Sequence, residues 1–351
     1  MRKMISFLAA VAVAIGLCGA TGAPSADGTT GMSKQAEAAV VEVLGDSSAG
    51  TGFVYDAAQG LIATAASSVA GQEDLAVVIA GGQPVPAELV GSDLCQGLAV
   101  LKVSSPPAGL SALAFGDSDL VFAGDAIRSL GYPDAGTEGA TVAVSPGEAV
   151  DEPAGESIPA PSSPDYPSVV RHSAPVKGGS IGGPVLNDDG EVIGINTGDW
   201  LEEDGRMFLA ISSNHATSEL PGLAAGAEKN DPGWRLIAVS DALLPADPSV
   251  HGIKQPAQNA QKRLQDEGID GLFVGAVRKG SPADKANLRQ GAVITTVNGG
   301  GVSSFSEVCD VVDPASSGDK LDLEGVYSGV GEAGHTFGDT WSAELTLEGA
   351  S

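Results

Sequence analysis

The sequence predicts a mainly β chain of two units, a β-barrel or sandwich followed by a smaller unit of mixed strands and helices. Three observations point there. Short apolar runs recur roughly every ten residues between Val40 and Ile211, the spacing of strands in a barrel or sandwich. The 351 residues include 49 Gly and 21 Pro, which supply the turns such an architecture needs. From about Gly233 the pattern changes to strand, polar helix, strand, short helix and strand, a mixed order of helices and strands.

The chain begins with Arg2 and Lys3, an uncharged apolar run from Met4 to Leu17, and small residues from Gly19 to Ala23. This is the layout of a secretory signal peptide over 1–23 and predicts export. The alternatives are an uncleaved membrane anchor over 4–23, about long enough to span, and lipid attachment at Cys18, which the bulky Leu17 disfavours. Residues 24–36 are rich in Gly, Ser, Thr and Pro without a period and predict a disordered spacer. Strands are expected over 40–44, 52–55, 61–64, 75–79, 86–90, 98–103, 124–130 and 141–144. The stretch 150–166 holds Pro153, Pro159, Pro161 and Pro164 among Glu152, Glu156 and Asp165, and reads as a long acidic surface loop. Strands resume near Val169. An apolar run, an Asp189-Gly190 turn and a second apolar run read as a hairpin. The expected boundaries are 37–217 for the first unit, 218–232 for a Gly/Ala-rich linker, and 233–349 for the second unit. Within the latter, 236–239, 271–277 and 320–327 read as strands, and 259–267 and 305–312 as helices.

A net charge of −27 argues against nucleic acid or an anionic lipid surface as partner, because both need Lys and Arg, and it reads as a solubilising surface. Aromatic residues are only 4%, so the core must be built from Val, Leu, Ile and Ala. Cys95 and Cys309 fall in different units, and their spacing gives no pairing; two free thiols are the default expectation. Nothing in the sequence implies a cofactor or a metal.

The stretch around which the chain is organised is Gly178-Gly179-Ser180-Ile181-Gly182-Gly183-Pro184-Val185-Leu186. It resembles the active-site turn of trypsin-like serine endopeptidases, in particular the bacterial HtrA (Deg) family, whose pattern is Gly-Asn-Ser-Gly-Gly-Pro-Leu. The likeness extends to Gly50-Thr51-Gly52-Phe53-Val54-Tyr55-Asp56, Gly60-Leu61-Ile62-Ala63-Thr64, Leu98-Ala99-Val100-Leu101-Lys102-Val103, Gly116-Asp117-Ser118, Gly131-Tyr132-Pro133 and Asn214. The second unit resembles a PDZ domain through Gly280-Ser281-Pro282-Ala283, Leu288, Gly291 and Val293-Ile294 followed by Val297-Asn298-Gly299. The resemblance implies a trypsin-like double β-barrel and a PDZ-like α+β domain.

A trypsin-type site needs a serine nucleophile, a histidine base and an aspartate that fixes the imidazole. Aligned on the family's motifs, the histidine slot holds Ser67, the aspartate slot Gly97 and the nucleophile slot Ile181. An alkyl side chain has neither proton nor lone pair to offer. Ser180 is one position early, and His172, eight residues before it, reads as structural. The resemblance therefore implies a pseudoprotease, with catalytic residues absent, the backbone N–H groups of Gly179 and Ile181 pointing into the pocket, and the Ile181 side chain standing where the tetrahedral carbon would sit, so that a substrate carbonyl does not reach them. Restoring Ser67→His, Gly97→Asp and Ile181→Ser is expected to rebuild some activity on an intact barrel.

Three functions follow. One is a protein- or peptide-binding scaffold whose PDZ-like unit takes peptide C-termini as an added strand. Its binding loop would hold Leu236, Ile237, Ala238 and Val239, which lack the Gly of the family's Leu-Gly-Ile signature, and its groove would run between strand 271–277 and helix 305–312. Another is an active serine endopeptidase with a non-standard site. The third is a scaffold whose acidic loop 150–166 engages a basic partner. Homo-oligomerisation is compatible with the family.

Overall fold

The computed structural model describes residues 34–156, 160–202, 205–227, 230–241, 254–330 and 335–348. The expected signal peptide and most of the spacer lie outside the described residues. Residues 34–39 are helical, and Ala36 and Ala39 are buried beside Val40 and Phe53, so the end of the expected spacer belongs to the first unit.

The first sheet contains β1 (Val40–Leu44), β2 (Ala49–Asp56), β3 (Leu61–Ala65), β4 (Ala76–Ile79), β5 (Val85–Pro86), β6 (Glu88–Asp93) and β7 (Leu98–Lys102) in the order β5-β4-β1-β2-β3-β7-β6. The second contains β8 (Ala126–Gly131), β9 (Ala143–Glu148), β10 (Ala154–Glu156), β11 (Tyr166–His172), β12 (Pro184–Leu186), β13 (Val192–Glu202) and β14 (Gly205–Ser212) in the order β10-β11-β14-β13-β12-β8-β9. All named pairings in both sheets are antiparallel. The loop expected over 150–166 carries one short strand, β10, whose Glu156 pairs in register with Tyr166. Helix α1 (Ser213–Ala224) follows, capped by Ser212, and it runs across the boundary expected at 217. The apolar side chains Ala216, Leu220 and Leu223 face the barrel core, so this Gly/Ala-rich stretch is held by burial although its helix propensity is modest.

The third sheet is formed by β15 (Trp234–Ala238), β16 (Leu272–Val277), β17 (Ala292–Val297), β18 (Gly300–Gly301), β19 (Lys320–Tyr327) and β20 (Thr340–Thr346), with path β15-β16-β17-β19-β20 and β18 on β17. Helices α2 (Lys254–Asp266), α3 (Pro282–Lys285) and α4 (Phe305–Val312) complete it. α4 begins in a full capping box: Ser304 accepts from the Glu307 N–H, and the Glu307 carboxylate accepts from the Ser304 N–H. The Ser303 N–H first, and the Ser304 N–H with it, donate to the Glu307 carboxylate and hold it below its usual range against the opposing effect of burial. β16 lies inside the sheet, so the groove cannot use it. The path ends at β15 and β20, and of these two edge strands β15 packs beside α4.

The third sheet and the first barrel share one apolar cluster, from Val41, Val69, Leu94 and Cys95 to Trp234, Leu236, Val308 and Val312. Cys95 and Cys309 are joined by a disulfide across it, with Cα atoms 5.6 Å apart. This corrects the expectation of free thiols. The partners are 214 residues apart, and only the packing of α4 on the β6–β7 turn brings them together.

Candidate functional site

The turn that carries Ile181 is a single 3₁₀ turn, Gly178–Ser180. Its position is fixed by β2. Thr51 Oγ1 donates to the Gly179 carbonyl at 2.7 Å and accepts from the Tyr132 N–H at 2.8 Å, while the Thr51 N–H donates to the Ile181 carbonyl at 2.9 Å. Gly182 must be glycine: its φ is 86°, and a Cβ there would sit 2.2 Å from the Thr51 carbonyl oxygen. The Gly-Gly-Pro frame of a serine-protease turn is thus kept by close backbone packing.

The chemistry of the turn differs. The Ile181 N–H donates to the Gly178 carbonyl at 3.2 Å, closing the 3₁₀ turn. It does not point into the pocket, as expected from the resemblance, because the turn takes it as an internal donor. An oxyanion hole needs such donors aimed outward at the developing charge. Ser180 is 7% exposed and packs inward, where a Cβ on Gly131 would meet its Cβ at 2.6 Å.

Gly97 lies in the turn between β6 and β7, at φ 72°. Its carbonyl accepts from the Ala66 N–H at 2.8 Å, so it keeps contact with the segment that holds Ser67. A Cβ at Gly97 would lie 2.5 Å from Tyr166 Cε1 and 2.9 Å from Ile211 Cδ1. The Tyr166 ring fills the space an aspartate side chain would need. Its hydroxyl shares a 2.6 Å hydrogen bond with Thr197 Oγ1, and burial pushes the phenol up to about 12. The turn is shaped by Asp93, 2% exposed, whose carboxylate accepts from the N–H groups of Cys95 and Gln96 and from Asn230 Nδ2. Sequence reasoning missed Tyr166 because its ring reaches the slot from 69 positions further along the chain.

Ser67 is exposed, and its carbonyl accepts from Arg235 Nη1 of β15. His172 is fully buried on β11, stacked at 6.0 Å on Phe208. Burial holds its imidazole down at about 4, against a smaller opposite pull from Asn196 and Ala174. It is a neutral core residue at physiological pH.

Leu236, Ile237 and Ala238 lie on β15 and Val239 directly follows it; all four are buried. The Val239 N–H donates back into the sheet, to the Gly271 carbonyl at 2.9 Å. The Ala238 N–H, one residue earlier, faces the opposite way, toward α4, as strand alternation requires. There it donates to Ser162 Oγ at 2.9 Å. Across the groove, the Phe305 N–H at the start of α4 donates to the Pro161 carbonyl at 2.7 Å. Asn230 Nδ2 links Asp93 to Asp313, and the Lys279 N–H donates to Glu73 Oε1, so the two units meet through both polar and apolar contacts.

These features define a trypsin-like peptidase fold joined to a PDZ domain, and comparison with known proteins agrees. Residues 50–195 match the trypsin-like peptidase domain family and 273–324 match the PDZ domain family. The chain is similar to proteins of the HtrA/DegP type. It is 28% identical over 278 residues to "Probable periplasmic serine protease do/HhoA-like" of Haemophilus influenzae, covering 78% of this chain and 54% of that protein. It is 30% identical over 285 residues to "Probable periplasmic serine endoprotease DegP-like" of Hahella chejuensis, covering 80% and 55% respectively. The chain thus spans about half the length of these curated relatives. The solved structure "HtrA-type protease AlgW with tripeptide" shares the fold at a TM-score of 0.50 and 20% identity, covering 92% of this chain and 97% of that one. No described helix is long and apolar enough to cross a membrane.

Proposed function

We propose that this chain is an exported HtrA-type pseudoprotease that binds protein or peptide C-termini and does not cleave them. The observation that carries this reading is Ile181, with no nucleophilic atom and with its N–H closed onto Gly178. Gly97, crowded by Tyr166, and Ser67, whose carbonyl receives Arg235, point the same way. Export is supported by the periplasmic names of the relatives and by a buried disulfide, which persists in oxidising compartments. The names of the relatives as serine proteases favour the second reading, an active endopeptidase.

Labelling with a serine-directed phosphonate and turnover of an unfolded protein substrate separate the two. The expected result is neither label nor turnover. Turnover that survives Ser180→Ala places a site elsewhere, and turnover lost in Ser180→Ala makes Ser180 the nucleophile; either overturns the pseudoprotease. For binding, a peptide with a free C-terminal carboxylate should bind better than its amidated form, because backbone N–H groups lose an anion on amidation. Equal binding of the two forms rules out this mode.

A further inference from the structure

We infer that the loop segment Ala160-Pro161-Ser162-Ser163 is the internal ligand of the groove between β15 and α4, so that the groove opens to a peptide only when this segment leaves. The inference rests on the C-terminal-binding reading only for the identity of the displacing ligand. Two hydrogen bonds carry it, one to each wall. The Ala238 N–H, on the free edge of β15, donates to Ser162 Oγ, and the Phe305 N–H, on α4, donates to the Pro161 carbonyl. Ala160 to Ser163 are half-buried, Pro164 is buried, and the Ser163 N–H bonds back to the Ala160 carbonyl at 2.9 Å, so the segment enters as a formed turn. An acidic loop searching for a basic partner would face solvent; this part of it faces the groove.

The fit is that of a displaceable mimic. An added strand would offer Ala238 a backbone carbonyl and continue the ladder in both directions. Here a side-chain hydroxyl takes the N–H instead, and Pro161 has no N–H to return to the sheet. A peptide in extended form makes bonds that the turn cannot. What the segment has in its favour is attachment: a short tether gives an effective concentration on the order of millimolar. If the closed state outnumbers the open one tenfold, the apparent Kd of an incoming peptide rises about tenfold.

The experiment uses the mature chain and two variants, Ser162→Ala, which removes only the acceptor for Ala238, and replacement of 160–163 by four glycines. Hydrogen exchange is followed on fragments containing Ala238 and Phe305, with β17 as internal reference. Binding is followed with a pool of labelled hexapeptides of randomised apolar C-termini bearing a free carboxylate. Exchange at Ala238 should accelerate in both variants, and exchange at Phe305 in the glycine variant, each by about tenfold or more, with β17 unchanged. The pool should bind the glycine variant about tenfold more tightly than the parent. Unchanged exchange at both amides overturns the inference, as does measurable binding that is equally tight in parent and glycine variant. Accelerated exchange with no binding to any form sustains the internal ligand and sinks the C-terminal-binding reading instead.

Discussion

Rebuilding the triad at its three sequence positions should fail, and Gly97 is where it fails. A Cβ at Gly97 would stand 2.5 Å from Tyr166 Cε1, and the backbone there is left-handed at φ 72°. The left-handed conformation costs an L-residue about 1–2 kcal/mol. Overpacking against a buried ring costs about 1–3 kcal/mol. A carboxylate left without partners in that space costs a further 1–3 kcal/mol or so. The total, roughly 3–8 kcal/mol, rivals the whole stability of an ordinary domain, about 5–15 kcal/mol. Gly97→Asp should therefore unfold the chain at much lower denaturant, and Ser67→His with Gly97→Asp and Ile181→Ser should give no turnover. Adding Tyr166→Ala makes the room. The cycle Gly97→Asp, Tyr166→Ala and both together should show a favourable coupling of about 1–3 kcal/mol by urea denaturation. Additivity within about 0.5 kcal/mol, or a triple variant that hydrolyses an unfolded substrate at parental stability, would refute the claim that Tyr166 occupies the aspartate slot.

Cys95→Ser or Cys309→Ser should lower the denaturation midpoint, since a bridge across 214 residues restrains the unfolded chain by about 5 kcal/mol at the upper end of loop-closure estimates; rapid alkylation of both cysteines in the native, non-reduced chain would contradict the bridge. His172 has a folded pKa of about 4, below the unfolded value of about 6.5. Its neutral form is favoured in the fold, so the contribution is fully present above pH ~6.5 and is lost as pH falls toward 4, by about 3 kcal/mol in all. His215, which burial also shifts down, acts in the same direction. Stability measured from pH 7 to pH 4.5 should fall less steeply in His172→Phe, and an unchanged slope would show that His172 is not the group responsible. Intact mass of the exported protein should place its first residue between Gly19 and Asp27, and a mature chain that retains Met1 would overturn cleavage.

Most of the fold was legible because strands bounded by Gly-rich turns announce themselves locally. The strands at 40–44 and 320–327 and the helix at 305–312 match the sequence reading to the residue. What was illegible depends on long-range packing. Neither the Cys95–Cys309 bridge nor the ring of Tyr166 against Gly97 leaves any local signature, since each joins positions far apart in the chain. The orientation of the Ile181 N–H was missed for another reason. Whether a Gly-rich turn points its amides outward or closes them as 3₁₀ is a choice of backbone dihedrals that its glycines permit either way. The groove was placed one strand too far in, because the pattern of 271–277 identifies a strand but not its neighbours, and β15 is the edge strand beside α4.

Two of the three positions aligned with the family's triad, Ser67 and Gly97, share a property on the pseudoprotease reading. The carbonyl of Ser67 receives Arg235 from the PDZ strand. Two residues before Gly97, Cys95 is bridged to the PDZ helix, and Gly97 itself lies under Tyr166, the residue at which loop 150–166 rejoins the barrel. The same loop sends Ser162 to β15 and Pro161 to α4. A hydrolytic cleft has to stay open to admit a chain and release its halves, and it has to keep donors unpaired until charge develops. Here the segments that would border such a cleft are tied by hydrogen bonds, apolar packing and a covalent bond to the PDZ domain and its loop. Each such tie makes recovery of hydrolysis by side-chain replacement harder, because the neighbours have already closed over the space. On the internal-ligand reading, a ligand that displaces the turn at β15 and α4 works against its two hydrogen bonds, its partial burial and the tether, and not against the shared apolar core or the disulfide.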